Sequence, residues 1–213
     1  MDKDCRKVKR REDHYTKSAR QKGYPARSVY KLEEIQRKFR LIHKGDRVLD
    51  IGASPGSWSL FAVRELRARV VAIDLQEPDN RLKEIPGITF LQGDLNDVGI
   101  GDTLQKLGPY NVVISDAAPT TTGNRLVDTQ RSYALTERVL ELASVCLIQG
   151  GHLVMKIFQG GAEQELRERI KGNYRSVKAF KPRSSRKKSV ETYLVGICKL
   201  AELKKMREFE EYT

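Results

Sequence analysis

Lys156 lies inside the apolar run Leu153-Val-Met-Lys-Ile-Phe158. Lysine is almost never fully buried unless it is paired, so an ammonium here needs partners. Three charged residues qualify. Asp116 closes the neighbouring run Tyr110-Asn-Val-Val-Ile-Ser-Asp116, Glu191 begins the last strand-like segment, and Lys31 sits on a segment with an apolar stripe. A lysine set among carboxylates and a second cation is an arrangement for tuning a pKa. The carboxylates favour the charged amine. Burial and the second ammonium favour the neutral amine, the form able to take a proton from a hydroxyl. The expectation is that Lys31 and burial act on Lys156 while the carboxylates orient it.

A second constellation lies upstream, in Val48-Leu-Asp-Ile-Gly-Ala-Ser-Pro-Gly-Ser-Trp-Ser59. It reads as a buried strand, a glycine turn at Gly52 and Gly56, and a helix start, a place where backbone can approach a bulky ligand. It lacks the G-x-G-x-x-G of dinucleotide folds and the Gly-Lys-Ser/Thr of nucleotide-phosphate loops. Asp74 ends the next apolar run roughly 20 residues on, where an acid meets ribose hydroxyls. A glycine turn with a ribose acid and no phosphate chemistry points to a nucleoside cofactor such as S-adenosylmethionine. The histidines His14, His43 and His152 stand alone, and no ligand spacing suggests a metal.

These residues must be carried by regular elements. Helices are expected at Ser28–Phe39 with Ser28 as cap, about Ser57–Leu66, about Thr129–Leu147 with Asp128 as cap, and near Glu163–Lys171. Strands are expected at Arg47–Ile51, Arg69–Asp74, Ile88–Gln92, Tyr110–Asp116, His152–Phe158, about Ser176–Lys181 and Glu191–Cys198, with Gly150-Gly151 as a turn. Strands alternating with helices mean an α/β fold, a mostly parallel sheet with helices on both faces. Ligands then bind beyond the C-terminal strand ends, where Asp50, Asp74, Asp94 and Asp116 fall in successive units. The division expected is a basic N-terminal extension over residues 1–25, one domain over 26–200, and a charged tail over 201–213.

The 213 residues carry a formal charge of +12, unevenly spread. Residues 1–44 hold 15 Lys+Arg against 6 Asp+Glu, and residues 171–188 hold 8 Lys+Arg and no acid, so the rest of the chain is net negative. Two basic blocks on an acidic body make a footprint for a polyanion. Tyr15, Tyr24 and Tyr30 are candidates for stacking an RNA base. No apolar run has the length of a membrane span, and Cys5, Cys146 and Cys198 are too few and too scattered for a disulfide framework, which fits a cytoplasmic protein. At the Asp116-Ala-Ala-Pro119 loop there is neither the aromatic that amine methylation uses nor a nucleophilic cysteine for pyrimidine carbon methylation.

Taken in order, Ser28-Val-Tyr-Lys-Leu-Glu-Glu-Ile35, Leu49-Asp-Ile-Gly-Ala-Ser-Pro-Gly-Ser-Trp-Ser59, Leu91-Gln-Gly-Asp94, Ser115-Asp-Ala-Ala-Pro119, Val154-Met-Lys-Ile-Phe-Gln-Gly160, Lys181-Pro-Arg-Ser-Ser-Arg186 and Ser189-Val-Glu-Thr-Tyr193 resemble the FtsJ-type ribose 2'-O-methyltransferases. The resemblance covers nearly the whole folded length. It implies a Rossmann-like class I methyltransferase with a seven-stranded sheet and an antiparallel last strand. It implies a catalytic tetrad of Lys31, Asp116, Lys156 and Glu191, with Lys156 taking the proton of a ribose 2'-hydroxyl. It implies S-adenosylmethionine held at Gly52, Gly56, Trp58, Asp74, Asp94 and Asp116. The family often has Ala-Ala-Pro-Gly-Gly-Trp at the turn, where this chain has Ser54 and Ser57. Among family members it looks most like the compact bacterial type acting on a uridine of 23S ribosomal RNA in the large subunit, as a monomer. A tRNA anticodon loop and a non-catalytic RNA-binding module are the alternatives. Arg27, Lys181, Arg183, Arg186, Lys187 and Lys188 are the expected RNA contacts.

Overall fold

The computed structural model describes residues 13–120, 122–159, 163–186 and 189–201. The chain opens with helices α1 (His14–Gln21) and α2 (Val29–Phe39). Alternation follows: β1 (Arg47–Ile51), α3 (Ser57–Arg64), β2 (Arg69–Asp74), α4 (Asn80–Lys83), β3 (Ile88–Gln92), α5 (Ile100–Leu107) and β4 (Tyr110–Ser115). It closes with α6 (Arg125–Cys146), β5 (Leu147–Phe158), α7 (Glu163–Lys171), β6 (Tyr174–Phe180) and β7 (Glu191–Lys199).

The strands form one seven-stranded sheet in the order β3-β2-β1-β4-β5-β7-β6. β3 to β5 pair in parallel, and β7 runs antiparallel between β5 and β6. The order turns back between β1 and β4, the position at which open α/β sheets leave a crevice above their strand ends.

Strand parity divides the core in two. Val48, Val70, Ala72, Val112, Ile114, Val154, Tyr193 and Val195 face α2 and α3, packing with Leu32, Ile35, Trp58 and Leu60. Leu49, Ile51, Val71, Ile73, Val113, Leu153, Met155 and Leu194 face the other way, onto Leu104, Val139, Leu142, Leu166 and Ile170. Each fully buried side chain of this kind contributes about 1.5–3 kcal/mol. Lys156 shares the parity of Val154, so the sheet presents it to the α2/α3 side.

Several boundaries differ from expectation. α6 starts at Arg125, because Asn124 accepts from the amides of Leu126 and Val127 at 3.0 and 3.4 Å. Asp128, expected as the cap, is instead buried in the first turn and reaches back to Thr122 N at 2.7 Å and Gly123 N at 3.2 Å. Ser28 precedes α2 without capping it through its side chain. β5 begins at Leu147 and runs through Gly150-Gly151, because the register with β4 shifts between Tyr110 and Val112 and absorbs the glycines. α1 lies within the segment read as an extension, with Ala19 and Tyr24 buried against the body. The charged tail expected over 201–213 lies, past Ala201, outside the described residues. No described helix is long and apolar enough to cross a membrane.

Candidate active site

The four charged residues singled out by type converge. Lys156 comes from β5, Asp116 from the residue after β4, Glu191 from the start of β7 and Lys31 from α2. Lys156 Nζ lies 3.0 Å from Asp116 Oδ1 and donates to the Asp116 carbonyl oxygen at 2.5 Å. Lys31 Nζ lies 2.9 Å from Glu191 Oε1 and 3.5 Å from Asp116 Oδ1. Their side chains are between 8 and 17 % exposed, dry enough to strengthen each contact and open enough for a substrate atom to enter. Two cations face two anions, so the cluster balances its own charge.

A fifth member was not anticipated. Tyr193, fully buried in β7 and in register with Lys156, donates its hydroxyl to Asp116 Oδ1 at 2.6 Å. Its ring lies 5.8 Å from that of Trp58 and 5.8 Å from Lys31 Nζ. The signal was available: Tyr193 is two residues past Glu191, hence on the same face of β7. Burial pushes the Asp116 carboxyl up, but the Lys156 and Lys31 ammoniums and the Tyr193 hydroxyl outweigh it and hold the group below the usual aspartate value. Burial, reinforced by Asp116 and Glu191, pushes the Tyr193 phenol well up, so it remains a donor.

Beside the cluster, at the switch point, lies a cleft of about 600 Å³, within the range of small-molecule sites. Gly52, Asp74, Asp94 and Asp116 line it, with Leu75, Leu95 and Leu135 as apolar wall and Arg131 as a cation the sequence reading passed over. Asp74 accepts from Ser54 N and Gln76 N, each at 2.8 Å, which locks its carboxylate at the rim. Asp94 accepts from Asn96 N at 2.9 Å.

The glycine turn lines the cleft at Gly52 and is also packed against protein. Gly52 has φ +75°, and a Cβ there would lie 2.5 Å from Ala117 Cα; Gly56 has φ +105°, and a Cβ would overlap Leu82. Both glycines therefore admit other parts of the protein, and the close packing of β1 and β4 turns shapes the cleft floor. Trp58 is not among the residues lining the cleft, and its indole donates to the Ser28 carbonyl at 2.8 Å. Ser57 Oγ accepts from Ala26 N at 2.7 Å and donates to Ala26 O at 3.1 Å. The serine that departs from the family pattern thus helps fasten the segment leading into Lys31.

The expected RNA residues divide. Arg183 and Arg186 are exposed on the loop between β6 and β7, and Lys181 is exposed with its ammonium on the Ser189 carbonyl at 2.8 Å. Lys187 and Lys188 lie outside the described residues. Arg27 is tied inward, its guanidinium on Asp13 and on the Ser184 carbonyl. Tyr24 is buried and bonded to Glu65, which takes it out of any stacking role, whereas Tyr15 and Tyr30 are half-buried with ring centroids 5.4 Å apart.

A Rossmann-like sheet with a cofactor-sized cleft at its switch point and a charged cluster at the rim is a methyltransferase architecture. The model of the FtsJ-like methyltransferase family matches residues 24–199, and the chain belongs to that family. It is 47 % identical to the ribosomal RNA large subunit methyltransferase E of Treponema denticola over 187 residues, 87 % of this chain and 94 % of that one. It is 45 % identical to the protein of the same name from Nitratidesulfovibrio vulgaris, over 88 % of this chain and 94 % of that one. Among solved structures it is similar to a Plasmodium falciparum protein described as a ribosomal RNA methyltransferase, with TM-score 0.73 and 27 % identity over 84 % of this chain and all of that one.

Proposed function

We propose that this chain transfers a methyl group from S-adenosylmethionine to the 2'-hydroxyl of a ribose in RNA, and that its substrate is a uridine of 23S ribosomal RNA in the large ribosomal subunit. The observation that carries the reading is the meeting of Lys31, Asp116, Lys156 and Glu191 beside the cleft, where a ribose oxygen and a cofactor can share one hollow. A cytoplasmic monomer fits the same reading.

The cleft suits the cofactor. It combines an acid at the end of β2 for ribose hydroxyls, a second acid and apolar walls for a base, and backbone at Gly52. Gly56 and Trp58 contribute by shaping the turn. When bound, S-adenosylmethionine supplies an electrophilic methyl group.

The rest is the work of this chain. A ribose hydroxyl is a weak nucleophile until its proton leaves, and a positioned base contributes about 10²–10⁴-fold. Lys156 spends two of its nitrogen positions on Asp116, one on the carbonyl oxygen and one on Oδ1. The remaining position exchanges a proton with the substrate hydroxyl. Asp116 stays ionised and aims the amine. Glu191 takes most of the charge of Lys31 on α2. Fixing these groups on strands and a packed helix supplies orientation, which governs in-line transfer.

The test is methylation with labelled S-adenosylmethionine, offering 23S ribosomal RNA, intact large subunits and tRNA separately. Label is expected in the large-subunit RNA, at a linkage that resists alkali because the 2'-oxygen is blocked. Label in a base, or in none of the three, defeats the proposal; label in tRNA alone moves the substrate to the anticodon alternative.

A further inference from the structure

The two basic blocks of the sequence meet in space, and a carboxylate joins them. Glu34 stands on α2, three residues beyond Lys31. Its oxygens accept from two consecutive amides of the β6–β7 loop, Oε2 from Arg183 N at 2.7 Å and Oε1 from Ser184 N at 2.8 Å. The carbonyl of the same Ser184 accepts from the Arg27 guanidinium, whose other arm is on Asp13 and which lies 5.1 Å from the Tyr15 ring centre. The bend is thus gripped through its N–H groups and its carbonyl at once. Outside it, Arg183 and Arg186 are exposed, and neither guanidinium has a protein partner among the described residues.

A pair of successive amides is a concavity that attracts anions. Here Glu34 fills it permanently, which leaves the two guanidiniums as the phosphate-reading groups. Because Glu34 and Lys31 ride the same helix, the clamp also fixes the distance between those guanidiniums and the catalytic cluster.

We infer that Glu34 is a positioning residue for RNA. By clamping the loop backbone it aims Arg183 and Arg186 at phosphates flanking the ribose presented to Lys31 and Lys156. The inference rests on the RNA methyltransferase reading above. It carries a sign that electrostatics alone would reverse. Glu34 is an anion on a cationic face, so by charge its removal should strengthen polyanion binding. A clamp requires the opposite.

The experiment measures binding of an unmodified 23S ribosomal RNA transcript, at several salt concentrations, by wild type, Glu34→Gln, Glu34→Ala and Arg27→Lys. Gln keeps the shape but turns an N–H toward one of the two amides. Arg27→Lys loosens the carbonyl tie with no change of charge, and it stands as the independent probe should a Glu34 variant fold poorly. Affinity is expected to fall about ten-fold for the Glu34 variants, with a salt slope shallower by one to two charges. The KM for RNA rises while kcat at saturating RNA and affinity for S-adenosylhomocysteine hold. In an Arg183→Ala/Arg186→Ala background the Glu34→Gln effect disappears. Tighter or unchanged RNA binding by the Glu34 variants overturns the clamp, as does a Glu34 effect that persists without the two arginines. A wild type that binds and methylates while the variants match it overturns the clamp alone; a wild type that binds no RNA overturns the functional reading with it.

Discussion

Two aspartates at adjacent strand ends experience opposite environments. Asp50, in β1, pairs in register with Ile114 of β4, two residues before Asp116, and both face α2 and α3. Asp116 receives Lys156, Lys31 and the Tyr193 hydroxyl and is held below the usual value. Asp50 is buried with Ser59 as its donor residue, Oγ at 2.6 Å on Oδ2, while its Oδ1 has no partner. Burial first, then the nearby charges of Asp116 and Asp74, push its carboxyl up to about 7 against the opposing Ser59 bond. The residue type is the same, but Asp50 lies deeper and has no cation beside it, whereas Asp116 borders the cleft with two ammoniums on it, and together these decide which carboxyl is an anion. The contrast teaches that the charged state of β4's end is built by elements far away in sequence, namely α2, β5 and β7.

The largest test of that contrast removes the main cation. Lys156→Ala is expected to lower methyl transfer about 10³-fold, the middle of the range for a positioned base, with S-adenosylhomocysteine affinity retained. A rate near wild type with normal cofactor binding defeats the assignment of Lys156.

A smaller change sharpens it. Tyr193→Phe deletes one of the three groups holding Asp116 down, with almost no change of shape. The expected loss is about ten-fold in rate, from a charge-assisted bond on the order of 1.5 kcal/mol. Its signature is in the pH profile. Asp116 must be ionised, and activity is lost as pH falls through its folded pKa; with that pKa raised, the acid limb moves to higher pH. An acid limb that stays in place while the rate falls would mean that Tyr193 acts through packing alone.

Much of this was legible in the sequence. Local patterns marked all seven strands, with Asp116 at the end of one run, Glu191 at the start of another and Lys156 inside a third, so the parallel order and the acids at the strand ends followed. What escaped depends on long-range pairing. α1 carries a single buried residue, Ala19, so it has no apolar stripe to announce it. The roles of Gly52 and Gly56 look alike in a ligand-binding turn and a protein-packing turn; only the positions of Ala117 and Leu82 separate them. Arg27 reads as a phosphate cation until Asp13 and Ser184 are placed around it. Glu34 could not be linked to a loop about 150 residues away by any local pattern.

The gentlest test concerns Asp50, and it acts on stability more than on rate. Its carboxyl, pushed up to about 7, lies above the ordinary aspartate value of 3.8, so between those values the native state holds a proton that the unfolded chain releases. Stability from this group is therefore full at the acid end and declines as pH rises through the window, by on the order of 1 kcal/mol per unit. Asp50→Asn removes the titration while keeping an acceptor for Ser59. Thermal midpoints of the variant and wild type are expected to differ least near pH 5, with the variant gaining relative to wild type toward pH 8. Two midpoint curves that run parallel from pH 5 to 8 would show that Asp50 finds a partner for its second oxygen and is as firmly ionised as Asp116, which erases the difference between the two strand ends.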